Sequence, residues 1–150
     1  MTTEQEQIER AVADLVGQRC ARAENPHGSI LSIDLGPLAL RSSDAADARP
    51  HGWRHLTILS PWRLQTKDHV VADWNVDGGV AGVLPQLIQQ LVGDRVIAAQ
   101  TSMPAWDLRL DWESGLTLTV FGDCTNERED AWFILGTDGL EIAGSPRVAG

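Results

Sequence analysis

Leu84-Pro-Gln-Leu-Ile-Gln-Gln-Leu-Val-Gly-Asp-Arg95 is the stretch whose reading decides the fold. Leu84, Leu87, Ile88, Leu91 and Val92 recur at i, i+3, i+4, i+7 and i+8, one face of an amphipathic helix. Gly93 follows, where helices commonly end on a left-handed residue that glycine adopts without steric cost. The same pattern stands near the start of the chain in Ile8, Ala11, Val12, Leu15, Val16, Gly17 and Arg19, each 76 positions before its counterpart.

Outward from the helices the match continues. Leu31, Ile33 and Asp34 precede Leu108, Leu110 and Asp111 by 77 positions, and Trp62, Leu64, Asp68 and Val70 precede Trp132, Ile134, Asp138 and Leu140 by 70. The shorter second offset is what an insertion in the first copy produces. Arg41–Pro50, small, polar and weakly patterned, supplies it and reads as a surface loop. The chain therefore reads as two repeats, approximately 4–74 and 80–143, each a helix followed by three strands and a hairpin. The strand content rests on alternation, cleanest in Leu116-Thr-Leu-Thr-Val-Phe121, and on β-branched and aromatic residues in Trp53–Ser60. Hairpins are expected at Lys67-Asp68 and at Thr137-Asp-Gly139. A half of about 75 residues buries a sheet face and a helix face poorly on its own. The expectation is one α+β domain over residues 1–150, mostly antiparallel with two helices, in which two pseudo-symmetric repeats share a core.

Composition narrows the function. Hydrophobic content of 43% and charged content of 22% are those of a globular domain. No run approaches the roughly 18 apolar residues of a membrane span. The polar, acidic start Met1-Thr-Thr-Glu-Gln-Glu-Gln7 does not resemble a secretory signal, so a cytoplasmic location is expected. Cys20 and Cys124 have no metal-binding or redox spacing and read as free thiols, Cys20 at a core position because it matches Val96. Twelve Lys and Arg against 21 Asp and Glu give a net charge of −9, a field that repels a phosphate backbone and disfavours nucleic acid. Six Trp with no Tyr point to indoles pinning the sheet from within.

Motifs for chemistry are sparse. His51 and His55 have helical i, i+4 spacing, but Pro50 and Gly52 oppose a helix and the zincin glutamate is missing, so they read as surface histidines flanking a strand. Gly78, Gly79 and Gly82 precede the second helix without a P-loop Lys or a dinucleotide-binding pattern, and Asp73 and Asp77 would repel phosphate. Asp107 and Asp111 share a strand face, an arrangement more ordinary for solvated carboxylates than for a hydrolytic pair. No catalytic residue, metal ligand or cofactor site is assigned. Asp123, Glu127, Glu129 and Asp130 form an acidic loop opposed only by Arg128, and with Asp77 they are the candidate partner-binding residues.

The Leu-Val pairs before Gly17 and Gly93, the Leu59-Ser-Pro-Trp-Arg-Leu64 segment and the strand-rich remainder resemble a group of small uncharacterised bacterial proteins, chiefly actinobacterial. The resemblance spans roughly residues 8–143, and Ser60-Pro-Trp-Arg63 is its most specific piece. It implies a shared fold and brings no activity and no site residues.

The expected function is that of a non-enzymatic, cytoplasmic protein-interaction module, an immunity-like or regulatory partner of a basic protein. One alternative is a small-molecule binder or enzyme with a pocket between the repeats. The other is a homodimeric structural module.

Overall fold

The computed structural model describes residues 3–39, 50–75, 83–122 and 130–145. Among these described residues, two helices and ten strands form an α+β fold of two antiparallel sheets. Helix α1 (Glu4–Ala13) is capped by Thr3, whose hydroxyl accepts the Glu6 amide at 3.1 Å, and Glu4 and Glu6 lie at the positive end of its dipole. It buries Ile8, Ala11 and Val12, the face its periodicity predicts. It stops short of the expected residue 16, and Leu15 enters the core from the turn that follows. The second helix is shorter still. Helix α2 (Leu84–Ile88) tightens into a 3-10 turn over Gln89–Leu91, a common way for a helix to end. Pro85 sits in its first turn, where a missing N–H leaves no bond unmade.

Gly17 and Gly93 end the two helical segments with φ of 92° and 87°. Nothing lies within 4 Å of the space a Cβ would fill at either position, so the backbone conformation alone requires glycine. Gly17→Ala and Gly93→Ala are each expected to cost about 1 kcal/mol, read as a lowered urea midpoint at unchanged slope.

The first sheet runs β1 (Cys20–Glu24), β2 (Leu31–Leu35), β3 (Arg54–Ile58), β9 (Trp132–Gly136), β10 (Glu141–Gly144). The second runs β5 (Val70–Asp73), β4 (Trp62–Gln65), β8 (Thr117–Val120), β7 (Asp107–Trp112), β6 (Val96–Ser102). Each sheet thus takes three strands from one half of the chain and a hairpin from the other. The joins are β3 with β9, where Ile58 faces Trp132, and β4 with β8, where Trp62 faces Val120. Leu31, Ile33, Leu56 and Ile58 from one sheet and Leu64, Leu108, Leu110 and Leu118 from the other are fully buried in a single core. Helix α1 packs on β6 and β10, and α2 on β1 and β5, so each helix spans from an edge of one sheet to an edge of the other.

The halves cross where the chain leaves each helix. The Gly17 amide donates to the Val96 carbonyl and the Gly93 amide to the Cys20 carbonyl, both at 2.7 Å. Cys20 N–H donates to Asp94 O, Val96 N–H donates to Gln18 O, and Arg19 bridges Arg95. The four hydrogen bonds form two pairs related by a displacement of 76 positions, which maps the Arg19–Arg95 bridge onto itself. Two indoles tie down the sandwich in the same way. Trp62 Nε1 donates to Ser29 O and Trp132 Nε1 to Trp106 O, each at 2.7 Å. Cys20 is buried, as its match to Val96 predicts, and burial pushes its thiol up to about 12. Cys124 lies outside the described residues.

Candidate functional site

Of the residues expected to bind a partner, Asp77, Asp123, Glu127 and Glu129 lie outside the described residues, as do Arg41–Arg49 of the polar loop and Gly78, Gly79 and Gly82. Asp130 is half-buried and accepts a hydrogen bond from the Ser145 hydroxyl. Asp107 and Asp111 do share a face of β7, but each is engaged locally. Asp107 accepts the Gly122 amide, and Asp111 accepts Thr117 Oγ1 at 2.8 Å and Arg109 Nε at 3.2 Å.

The concentrated polar chemistry lies elsewhere, on the outward face of the first sheet. In β2, Leu31, Ile33 and Leu35 point into the core, so the alternation sends Ser32 and Asp34 the other way. The register sets Asp34 opposite His55 in β3 and opposite Arg22 in β1. The segment before β3 then folds over this face. Ala39 and His51 exchange both backbone hydrogen bonds, and Gly52 comes so close to the Leu35 backbone that any Cβ would collide with it.

The result is a network centred on Asp34, which is 1% exposed. Its Oδ1 accepts the Gly52 amide at 2.9 Å and lies 2.7 Å from His55 Nδ1, and its Oδ2 accepts Arg22 Nε at 2.9 Å. The other ring nitrogen, His55 Nε2, stands 3.0 Å from Ser32 Oγ. Arg22 also donates to the Pro50 carbonyl at 2.5 Å. The His51 ring meets His55 edge-on with centroids 4.9 Å apart, and its Nδ1 is 3.7 Å from Asp34 Oδ1. Burial alone would raise the Asp34 pKa. The His55 hydrogen bond, the Gly52 amide and the nearby His55 and Arg22 charges outweigh it and hold the carboxyl at about 2. Asp34 is therefore an anion at neutral pH although almost no solvent reaches it.

His55 thus corrects the expectation of surface histidines: it lies within β3, and its side chain is 13% exposed. The i, i+4 spacing misled because it invites a helical test. A strand bearing His55 and a preceding loop bearing His51 bring the rings together without a helix. The sequence signal at Asp34 is a carboxylate on the polar side of a strand neighbouring the one that holds His55.

Ser32, His55 and Asp34 are linked in the order of a serine hydrolase relay. Geometry beyond the relay does not favour acyl transfer. Ser32 sits in a strand flanked on both sides, opposite Glu24 and Thr57, so the amides next to it are engaged in ladders rather than turned toward an oxyanion.

The second sheet supplies an internal comparison. At the position matching Asp34 it carries Asp111, but opposite it stand Ala98 and Thr117 in place of Arg22 and His55. The fold can therefore be built at that position without a charged, histidine-bearing network. A cleft of about 180 Å³ also lies between α1 and the first sheet, lined among others by Arg10, Ala11, Arg54, Leu140 and Ile142. It draws on both halves of the chain, but it is smaller than the roughly 300–1,000 Å³ of common ligand sites. Comparison with known protein families, curated proteins and solved structures finds no match to this chain. The functional reading accordingly rests on its own residues.

Proposed function

We propose that this protein is a non-enzymatic interaction module that docks the apolar residues around its half-to-half crossing onto a basic protein. The observation that carries the reading is the exposure of Val16 (44%), Val92 (43%) and Ile97 (53%), joined by exposed Ala21. The backbone bonds of the crossing place Val16 beside Ile97 at one end, through Gly17 and Val96, and Val92 beside Ala21 at the other, through Gly93 and Cys20. Exposed apolar side chains set beside one another are the usual material of an interface core. The net charge of −9 supports a basic partner, because it accelerates encounter with a cation-rich surface at low salt. No helix among the described residues is long and apolar enough to cross a membrane.

The test pairs Val16→Glu with Ile97→Glu. Both sites are exposed, so the fold should survive, and thermal unfolding checks that it does. The wild-type protein is immobilised, a partner is captured from the host cytosol, and the complex is rebuilt from purified components. A basic partner whose affinity drops about thirtyfold or more in the double variant, the loss of one hot spot of about 2 kcal/mol, supports the reading. Unchanged affinity in the double variant defeats it. A doubled mass by light scattering that the variant halves would favour the homodimeric module instead. One observation favours a small-molecule site: buried Arg54, which lines the cleft beside α1, pairs with Asp138 yet leaves its Nε without a partner. Thermal stabilisation by small carboxylates, with no captured protein, would favour that reading.

A further inference from the structure

We infer that Asp34, His51 and His55 form a binding site for one divalent transition-metal ion of the zinc type, assembled where the segment before β3 folds over the outward face of β2 and β3. Each residue offers one ligand atom, and the three atoms lie within 4.8 Å of one another. Zinc holds nitrogen and oxygen ligands at about 2.0–2.2 Å, which sets tetrahedral neighbours about 3.3 Å apart. The separations from Asp34 Oδ1, 2.7 Å to His55 Nδ1 and 3.7 Å to His51 Nδ1, bracket that value. A common centre asks the shorter separation to open and the longer one to close, each by about half an ångström. The backbone beneath them is already fixed, Asp34 and His55 by the β2–β3 ladder and His51 by its paired bonds to Ala39.

The surrounding hydrogen bonds are those a metal site needs. A ligating imidazole is oriented by what its other nitrogen bonds, and Ser32 Oγ stands ready to accept from His55 Nε2. Nδ1 is then the nitrogen left for the metal. Arg22 holds the far oxygen of Asp34, which fixes the carboxylate and leaves Oδ1 as a one-oxygen ligand. Arg22 brings positive charge near the site, and Glu24, 3.9 Å from its Nε, offsets part of it. Two imidazoles with one carboxylate suit zinc, iron, cobalt or nickel rather than magnesium or calcium, which prefer oxygen. Three protein ligands leave one tetrahedral position to water or to an external donor. The matching position of the second sheet, with Asp111 facing Thr117 and Ala98, has no imidazole, so one ion per chain is expected.

The probe is zinc chloride added to the whole chain at neutral pH, followed by calorimetry and thermal unfolding, with cobalt(II) for its visible absorption. The expected result is saturable binding of one ion per chain, a raised melting temperature, and a weakening of about tenfold or more in His51→Ala. The His51 side chain is one-quarter exposed, so the metal-free variant should melt close to wild type, and His51→Gln serves as a second variant if it does not. Absence of saturable binding overturns the proposal. So does binding that survives both His51 variants unchanged, which would place the ion at exposed histidines such as His27 or His69.

Discussion

Trp132→Ala should lower stability by about 3–5 kcal/mol, a large share of the roughly 5–15 kcal/mol that holds a domain of this kind together. Trp132 is fully buried, faces Ile58 across the β3–β9 join, and donates its indole N–H to the Trp106 carbonyl. Truncation removes one of the largest side chains from the core, leaves a cavity that backbone ladders on both sides keep from closing, and strands the Trp106 carbonyl without its donor. Trp132→Phe separates these effects. It keeps most of the apolar volume and loses the hydrogen bond, so a cost of about 1–3 kcal/mol is expected. Trp62→Ala should behave like Trp132→Ala, because Trp62 is as deeply buried and donates to Ser29 in the same manner. Urea unfolding followed by far-ultraviolet circular dichroism measures all three. A loss below about 1 kcal/mol for Trp132→Ala would mean that the β3–β9 join does not limit stability.

The second large effect is expected from Asp34→Ala. Breaking a buried ion pair by removing one partner typically costs about 3–5 kcal/mol, because the other charge is left without compensation. Here the Gly52 amide and His55 also lose their acceptor. The Arg22 side chain is 21% exposed, so water relieves part of its isolation and the lower end of that range is expected. Asp34→Asn keeps a carbonyl for the Gly52 amide and gives up the charge, and should cost less than the alanine. The control is Asp111→Ala, at the matching position of the second sheet. Its partners Thr117 and Arg109 reach solvent, and an exposed pair of that kind is worth about 1 kcal/mol or less. Equal losses at positions 34 and 111 would show that the first-sheet network adds nothing to stability beyond its second-sheet counterpart.

The fold class was legible because periodicity survives in the residues that bury. Ile8, Ala11 and Val12 repeat as Leu84, Leu87 and Ile88, and all but half-buried Leu87 are buried at their sites. Helix length was not legible. A stripe of apolar residues continues through Leu91 whether the backbone is α-helical or has tightened into a 3-10 turn, since either brings Leu91 to the core. The candidate site was hidden for another reason. Asp34 and His55 are 21 positions apart with the weakly patterned Arg41–Pro50 stretch between them, so their strands could be named from the chain but their register could not. Once β2 and β3 pair as they do, four alternating polar residues, Ser32 and Asp34 with His55 and Thr57, fall on one face. The exposed residues at the crossing were masked by their own pattern. Val16 and Val92 complete the helical stripes on paper, yet both follow the helices and face solvent.

Interleaved sheets have a consequence for synthesis on the ribosome. Strands β1, β2 and β3 emerge early and can form a meander, but the strand that covers the open side of β3 starts only at Trp132. Until β9 has left the exit tunnel, β3 presents unpaired amides and carbonyls along one margin, with Leu56 and Ile58 beside them. The nascent chain is then a sticky half-sandwich whose cure lies in the later β9–β10 hairpin. Slow translation of the second half, or truncation ahead of Trp132, should favour aggregation over a partly native product.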